Sequence, residues 1–559
     1  MDLLAYDPAS GYARLYKEQF AQEAEAFFDA AVREGKVDPE LNTQLAAQLR
    51  KLREQKEHCS GKKGWWIFLL ISVILLIAVW GICIVCNVEL QSPAHWGGGG
   101  IAGTACCVWI CKQMIPAIKK LAAQETLLQG QIDELYGRIR ELLSPLFDFF
   151  DWNTLAKLIS KVLPPVRFDD FLSLERIADF RDNFGFTLED EPESTLTNAQ
   201  SGTFYGYPFV LTEDLDFAWG EKVWTGSLTI TYRERITNVE GKSEWVTRSQ
   251  VLTASITRPC PEFTRTRNFF FGHDAAPGLV FSRTPSSLSG GSGFWNKLGK
   301  KYRIRQLRKF SQDLTDESQY TMMSNHEFEV LFRSENRNDE VAFRLLYTPL
   351  AQEYMVKLLN DETAGFGDDF SYAQNCCVTR VCSEHLNATD LGTPPFYSDD
   401  FDLREIKSFF LEYSAAFFRS FYFTLAPVML IPAYNEPRNT PGTGETARTI
   451  SPSEIEGAAC YRSELFRPAE SITENIFNVV SFTPFPGGAD AVVESIGFAG
   501  VEHTEYVSCY GRDGRYHNVP VHWVEYVPVS RQTSLRAYLE ESAPQDFKPL
   551  FRRRGILFG

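Results

Sequence analysis

Cys376, Cys377, Cys382 and His385 lie close together in the sequence, in the order Cys-Cys-x4-Cys-x2-His. Thiolate sulfur and imidazole nitrogen are the donors that zinc takes in tetrahedral sites. Zinc is therefore the metal this set could hold, although no second ligand pair stands nearby, and nothing else in the chain asks for a cofactor. A second cluster is purely cationic: Lys297, Lys300, Lys301, Arg303, Arg305, Arg308 and Lys309 follow directly on Phe294 and Trp295. Close to a bilayer, each such cation adds about 1 kcal/mol of attraction to anionic lipid headgroups. Nucleic acid is the second ligand such a run would suit, and a solvated helix face paired with the protein's own acids is the plain structural alternative.

Other chemistry is thinner. His273-Asp274 puts a base beside an acid, but without a nucleophile or an oxyanion donor the pair does not meet the geometric tests of a catalytic site. His517 and His522, five apart on an expected strand, fall on opposite faces and make a poor chelate. The chain has no G-x-x-x-x-G-K-[ST] loop, G-x-S-x-G elbow, H-E-x-x-H helix or dinucleotide fingerprint. Catalytic residues are therefore unassigned.

The elements that must position these residues belong to a long, aromatic-rich chain of 559 residues, 44% hydrophobic and 14% aromatic. That length allows about three to five domains with real cores and excludes disorder throughout. With 72 acidic against 56 basic residues the net charge is −16, which argues against a surface built as a whole to hold nucleic acid. Trp65 to Cys86 is uncharged and long enough as a helix to span a hydrocarbon core of roughly 30 Å. A second uncharged stretch, about 92–111, is richer in Gly, and its small residues would let it pack against the first span. Lys and Arg flank the pair on the outside and are missing from the turn between. By the positive-inside rule this predicts a two-span protein of an inner (plasma) membrane, with both termini and the large body cytoplasmic. The 12 cysteines show no framework spacing and read as reduced thiols.

Patterning gives an α+β chain: cytosolic N-terminal helices over 1–63, the transmembrane hairpin over 64–111, and a helical stalk over 112–143. In the stalk Leu121, Leu128, Leu135 and Leu142 recur as a coiled-coil-like seam. A large soluble body of antiparallel sheets and helices follows: an α+β region over 144–285, a Gly/Ser linker over 286–296, an α+β region with the basic segment over 297–435, a loop over 436–455, and a β-rich part over 456–559. Alternation from Ser201 to Pro259, with a turn at Asn238 to Lys242, predicts antiparallel strands, and Thr504 to Tyr526 a β-hairpin. Glu327 to Phe332 and Val341 to Tyr347 read as strands, and Pro349 to Asn360 as a helix.

The order of parts, with Glu327-Phe-Glu-Val-Leu-Phe332 followed by Arg344-Leu-Leu-Tyr-Thr-Pro349, resembles a family of bacterial two-transmembrane proteins of unknown function, often encoded near LemA proteins. The resemblance covers roughly 325–359 and implies no active site. The expectation is a membrane-anchored binding or scaffold protein, in contact with the lipid bilayer and its anionic headgroups, with an unidentified protein partner or a second copy of itself. The alternative is a membrane-tethered hydrolase or metal-dependent enzyme whose site the sequence does not display.

Overall fold

Long alternating stretches and helices with apolar stripes dominate the chain, and both find partners in the fold. The structure, a computed structural model, describes residues 7–85, 109–147, 149–150, 153–187, 193–237, 243–290, 293–312, 320–389, 401–438 and 448–559. It is an α+β protein that divides into two compact units, one of 1–21, 155–393 and 415–559, the other of 22–154 and 394–414.

The smaller unit is helical. The long helix Pro39–Val85 runs beside the helix Ile115–Phe147 in the opposite direction. Arg53 bonds to Tyr136, Lys56 Nζ lies 2.6 Å from Gln129 Oε1, and Lys63 pairs with Glu125, so numbers rise on one helix as they fall on the other. Ile132, Ile139, Leu143 and Leu146 form the buried stripe of the second helix, at the seven-, four- and three-residue steps that keep to one helical face. Phe28, Phe150 and Phe410 meet in one aromatic cluster, with ring centroids 5.1 to 5.8 Å apart.

The expected membrane hairpin is overturned. Among the described residues no helix is long and apolar enough to cross a membrane. The uncharged run sits in the helix Pro39–Val85, which is charged as far as Lys63. Trp65, Phe68, Ile71 and Ile74 on that stretch are exposed. The expected second span lies, up to residue 108, outside the described residues. The two-span inner-membrane location with cytoplasmic termini is withdrawn.

The larger unit holds two antiparallel sheets. Strands β1 (Val166–Phe168), β2 (Ser194–Phe204), β3 (Tyr207–Thr237), β4 (Ser243–Gly272), β5 (Val280–Arg283), β6 (Phe370–Asn375) and β7 (Val378–Ser383) form the first, in the order β1-β2-β3-β4-β7-β6-β5. The second is built from β8 (Ile476–Phe485), β9 (Gly488–Tyr510), β10 (Tyr516–Leu539), β11 (Phe551–Arg553) and β12 (Ile556–Phe558), in the order β11-β12-β10-β9-β8. One face of the first sheet is sealed by the Phe-rich helix Leu403–Met429, whose Phe421 packs on Phe168, Phe209 and Phe269. The second sheet packs on the helix Pro452–Tyr461 through Ile455, Ala458, Val493, Leu535 and Ile556. Thr195 and the Phe477 backbone exchange hydrogen bonds of 2.7 and 3.2 Å and so tie β2 to β8.

The strands β3 and β4 outrun their sheet. Beyond Asp216 they continue as a two-stranded ribbon in unbroken register to Thr237↔Ser243, so that β3, at 31 residues, is on the order of 100 Å long. The β9–β10 hairpin lies along one face of this ribbon, and Ile230, Leu252, Ala254, Val519 and Val521 form the dry seam between them.

Two expected strands are helices. Glu327 to Phe332 falls in the helix His326–Phe332, and Val341 to Leu346 in the helix Glu340–Leu346. Both begin on a capping side chain, Asn325 accepting the Phe328 N–H at 3.1 Å and Asp339 accepting those of Val341 and Ala342 at 2.9 Å. Arg337, fully buried, bridges Glu329 and Glu340 at 2.8 and 2.7 Å and fastens the two helices together.

Candidate functional site

The seven clustered cations lie on one helix, Phe294–Gln312, a stretch of Lys, Arg, Leu and Gln with strong helical propensity. Its inner side is fixed by buried Leu307, by Lys300 Nζ at 2.8 Å from Glu327 Oε1, and by Arg303 Nη2 at 2.6 Å from Glu335 Oε1. Gly299 passes so close to Leu288 that a Cβ there would sit 2.8 Å from its Cδ2. These contacts turn the rest of the helix outward. Phe294, Leu298 and Tyr302, at four-residue steps, form an apolar stripe with Trp295 beside it, and all four are exposed, Trp295 at 80%. Lys297, Lys301, Arg305 and Arg308 form the neighbouring stripe, with Lys309 close by; these five are exposed and have no acidic partner among the described residues.

Of the seven cations named from sequence, then, five face outward and two, Lys300 and Arg303, hold the helix in place. Leu298 and Tyr302 were missed. Their spacing from Phe294 is the signal that would have found them, because i+4 and i+8 lie on one helical face.

The Cys/His set is not brought together. Cys376 and Cys377 form the turn between β6 and β7, whereas Cys382 is near the far end of β7 and His385 lies in the short helix after it, roughly 15 to 20 Å away along the strand. Both nitrogens of His385 are occupied: Nδ1 is 2.6 Å from Asp369 Oδ2, and Nε2 is 3.2 Å from Ser383 Oγ and 3.1 Å from Thr424 Oγ1. Its ring stacks flat on Phe366 at 4.2 Å. Among the described residues no group of three or more His, Cys, Asp or Glu is placed to hold a metal ion. Serine, histidine and aspartate here follow the bonding order of a nucleophile, base and acid. Ser383, however, is buried and accepts the Leu386 N–H as the helix cap, which is a structural duty.

His273 and Asp274 point to different partners. His273 is fully buried, with Nε2 at 3.1 Å from both Thr379 Oγ1 and Tyr434 Oη, and burial pulls it down to about 3. Asp274 accepts the Tyr207 hydroxyl at 2.8 Å; burial, and then this bond, push that phenol up to about 12. His517 pairs with Asp513 at 2.9 Å, and His522 with Thr504 at 2.9 Å. No family model matches the chain, and neither a curated protein nor a solved structure matches it.

Proposed function

We propose that the chain is a binding or scaffold protein that docks on an anionic phospholipid surface through the helix Phe294–Gln312, lying on that surface and presenting the rest of its body to a partner. What carries the reading is the juxtaposition on one exposed helical face of Phe294, Trp295, Leu298 and Tyr302 with Lys297, Lys301, Arg305, Arg308 and Lys309. An interfacial helix needs both: apolar side chains that enter the headgroup layer and cations that meet its phosphates. Five outward cations, without an acidic partner among the described residues, at about 1 kcal/mol each and with the apolar stripe added, suffice for reversible binding and fall far short of permanent insertion.

Vesicle co-sedimentation tests it. The full chain should bind vesicles of phosphatidylcholine containing phosphatidylserine and stay in solution with phosphatidylcholine alone. Lys301→Glu with Arg305→Glu should weaken binding roughly a hundredfold or more, since each reversal removes one attraction and adds one repulsion. Trp295→Ala with Leu298→Ala should weaken it on every anionic composition. Equal binding to neutral vesicles, indifference to the charge reversals, or tighter binding to a DNA duplex than to anionic vesicles would each refute the proposal.

A further inference from the structure

A cleft of about 470 Å³ opens on the face of the first sheet opposite the Phe-rich helix, within the range of small-molecule sites. Residues two apart on a strand share a face, and here β3 contributes Thr212, Asp214 and Asp216, β4 contributes Thr266 and Asn268, and β7 contributes Arg380. Their side chains are already linked. Arg380 Nε donates to Asn268 Oδ1 at 2.9 Å, and Asn268 Nδ2 in turn donates to Asp214 Oδ2 at 3.2 Å. Thr212 donates to that same oxygen at 2.9 Å, and Thr266 donates to Asp216 Oδ2 at 2.7 Å. Each carboxylate is thus oriented through Oδ2, and Arg380 through Nε. Phe270, at 5.0 Å from Phe186, adds an aromatic wall.

We propose that this cleft binds a neutral polyhydroxylated ligand, a carbohydrate, with Asp214 and Asp216 accepting its hydroxyls and Arg380 donating to a ring or hydroxyl oxygen. The choice follows from charge and hydrogen-bond sense. A cation would meet Arg380, which the network holds in the same cleft; an anion would meet two carboxylates; an apolar ligand would leave these groups without partners, which is costly. Sugar hydroxyls both donate and accept, and the C–H face of a sugar ring suits the aromatic wall. The state of Asp214 agrees with such a role. Burial, which outweighs its hydrogen bonds from Thr212 and Asn268, pushes it up to about 6, so at neutral pH it is still mainly ionised and accepts a hydrogen bond from a hydroxyl. This inference is independent of the lipid-facing helix, which uses none of these residues.

Calorimetric titration of the full chain with glucose, galactose, mannose, N-acetylglucosamine and their β-linked disaccharides is the test. At least one should bind saturably, and Asp216→Ala and Arg380→Met should each weaken that binding roughly tenfold or more, the worth of one hydrogen bond to a charged group. Arg380 is exposed, so its variant decides the matter alone if the Asp216 variant does not fold. Inorganic phosphate and putrescine serve as charged probes. Failure of the whole sugar panel, binding that survives Arg380→Met undiminished, or preferential binding of either charged probe overturns the proposal.

Discussion

Two ionisable groups of the larger unit, fully buried His273 and half-buried Asp214, respond to acid in opposite directions. His273, held neutral by burial, goes from an ordinary 6.5 to about 3. Between those values the unfolded chain protonates it and the folded chain does not, so its contribution to stability is complete above the upper value and is lost as pH falls towards the lower. Asp214, facing Asp216 and Arg380, goes from 3.8 to about 6. It keeps its proton when folded, so its contribution is largest below the unfolded value and declines as pH rises to the folded one. Between roughly pH 4 and 6 the two slopes therefore oppose each other. Asp214→Asn removes one of them, and urea midpoints of the variant should fall on acidification more steeply than wild type, by up to about 1.4 kcal/mol per pH unit. Parallel curves would show that Asp214 titrates as an ordinary carboxyl. Neither group was identified from sequence for this behaviour: His273-Asp274 drew notice as neighbours, but burial comes from β7 and from Tyr434, 161 positions away. The cations of the basic helix were legible because they crowd together along the chain, a local feature, whereas the 3.6-residue period that sorts them onto an outward face went unread.

Elements show the same division between local and distant causes. The hairpin of β3 and β4 was readable in its alternation, and that of β9 and β10 in its turn residues. The helices His326–Phe332 and Glu340–Leu346 were not, because short apolar runs suit either state and the caps at Asn325 and Asp339 decide. No local pattern says that the two hairpins stack. That depends on Gly226, where a Cβ would stand 2.0 Å from the Pro520 carbonyl oxygen, a backbone atom that cannot yield without moving β10. Gly226→Val should therefore part the hairpins, costing about 1 to 3 kcal/mol of local stability as overpacking does. Hydrogen exchange would show this as lost protection around Ile230, Leu252, Val519 and Val521, while the core around Phe209 and Phe269 keeps its own. Unchanged protection at the seam would mean that the ribbon holds its shape without its neighbour.

Charge over the full chain sets a further condition on lipid docking. The net charge is −16, while the basic helix contains seven cations and no acid, so everything outside it is more negative still. Composition made this imbalance plain. It did not reveal that 401–414 joins the helical unit, since local sequence carries no mark of which distant segment will pack, as Phe410 does on Phe28 and Phe150. Near an anionic surface the helix is attracted and the remainder repelled, and the two forces differ in range. At 0.15 M salt the screening length is about 8 Å, which confines the interaction to charges at the contact; at 0.01 M it is about 30 Å, and the acidic body is felt as well. Attraction at contact is itself screened above physiological salt. Vesicle binding should therefore pass through a maximum at intermediate ionic strength and weaken on both sides, whereas an isolated peptide of Phe294 to Gln312 should bind more tightly at every step towards low salt. Measured side by side on the same phosphatidylserine vesicles, a monotonic rise for the full chain would show that the acidic body stays outside the reach of the surface even when screening is weakest.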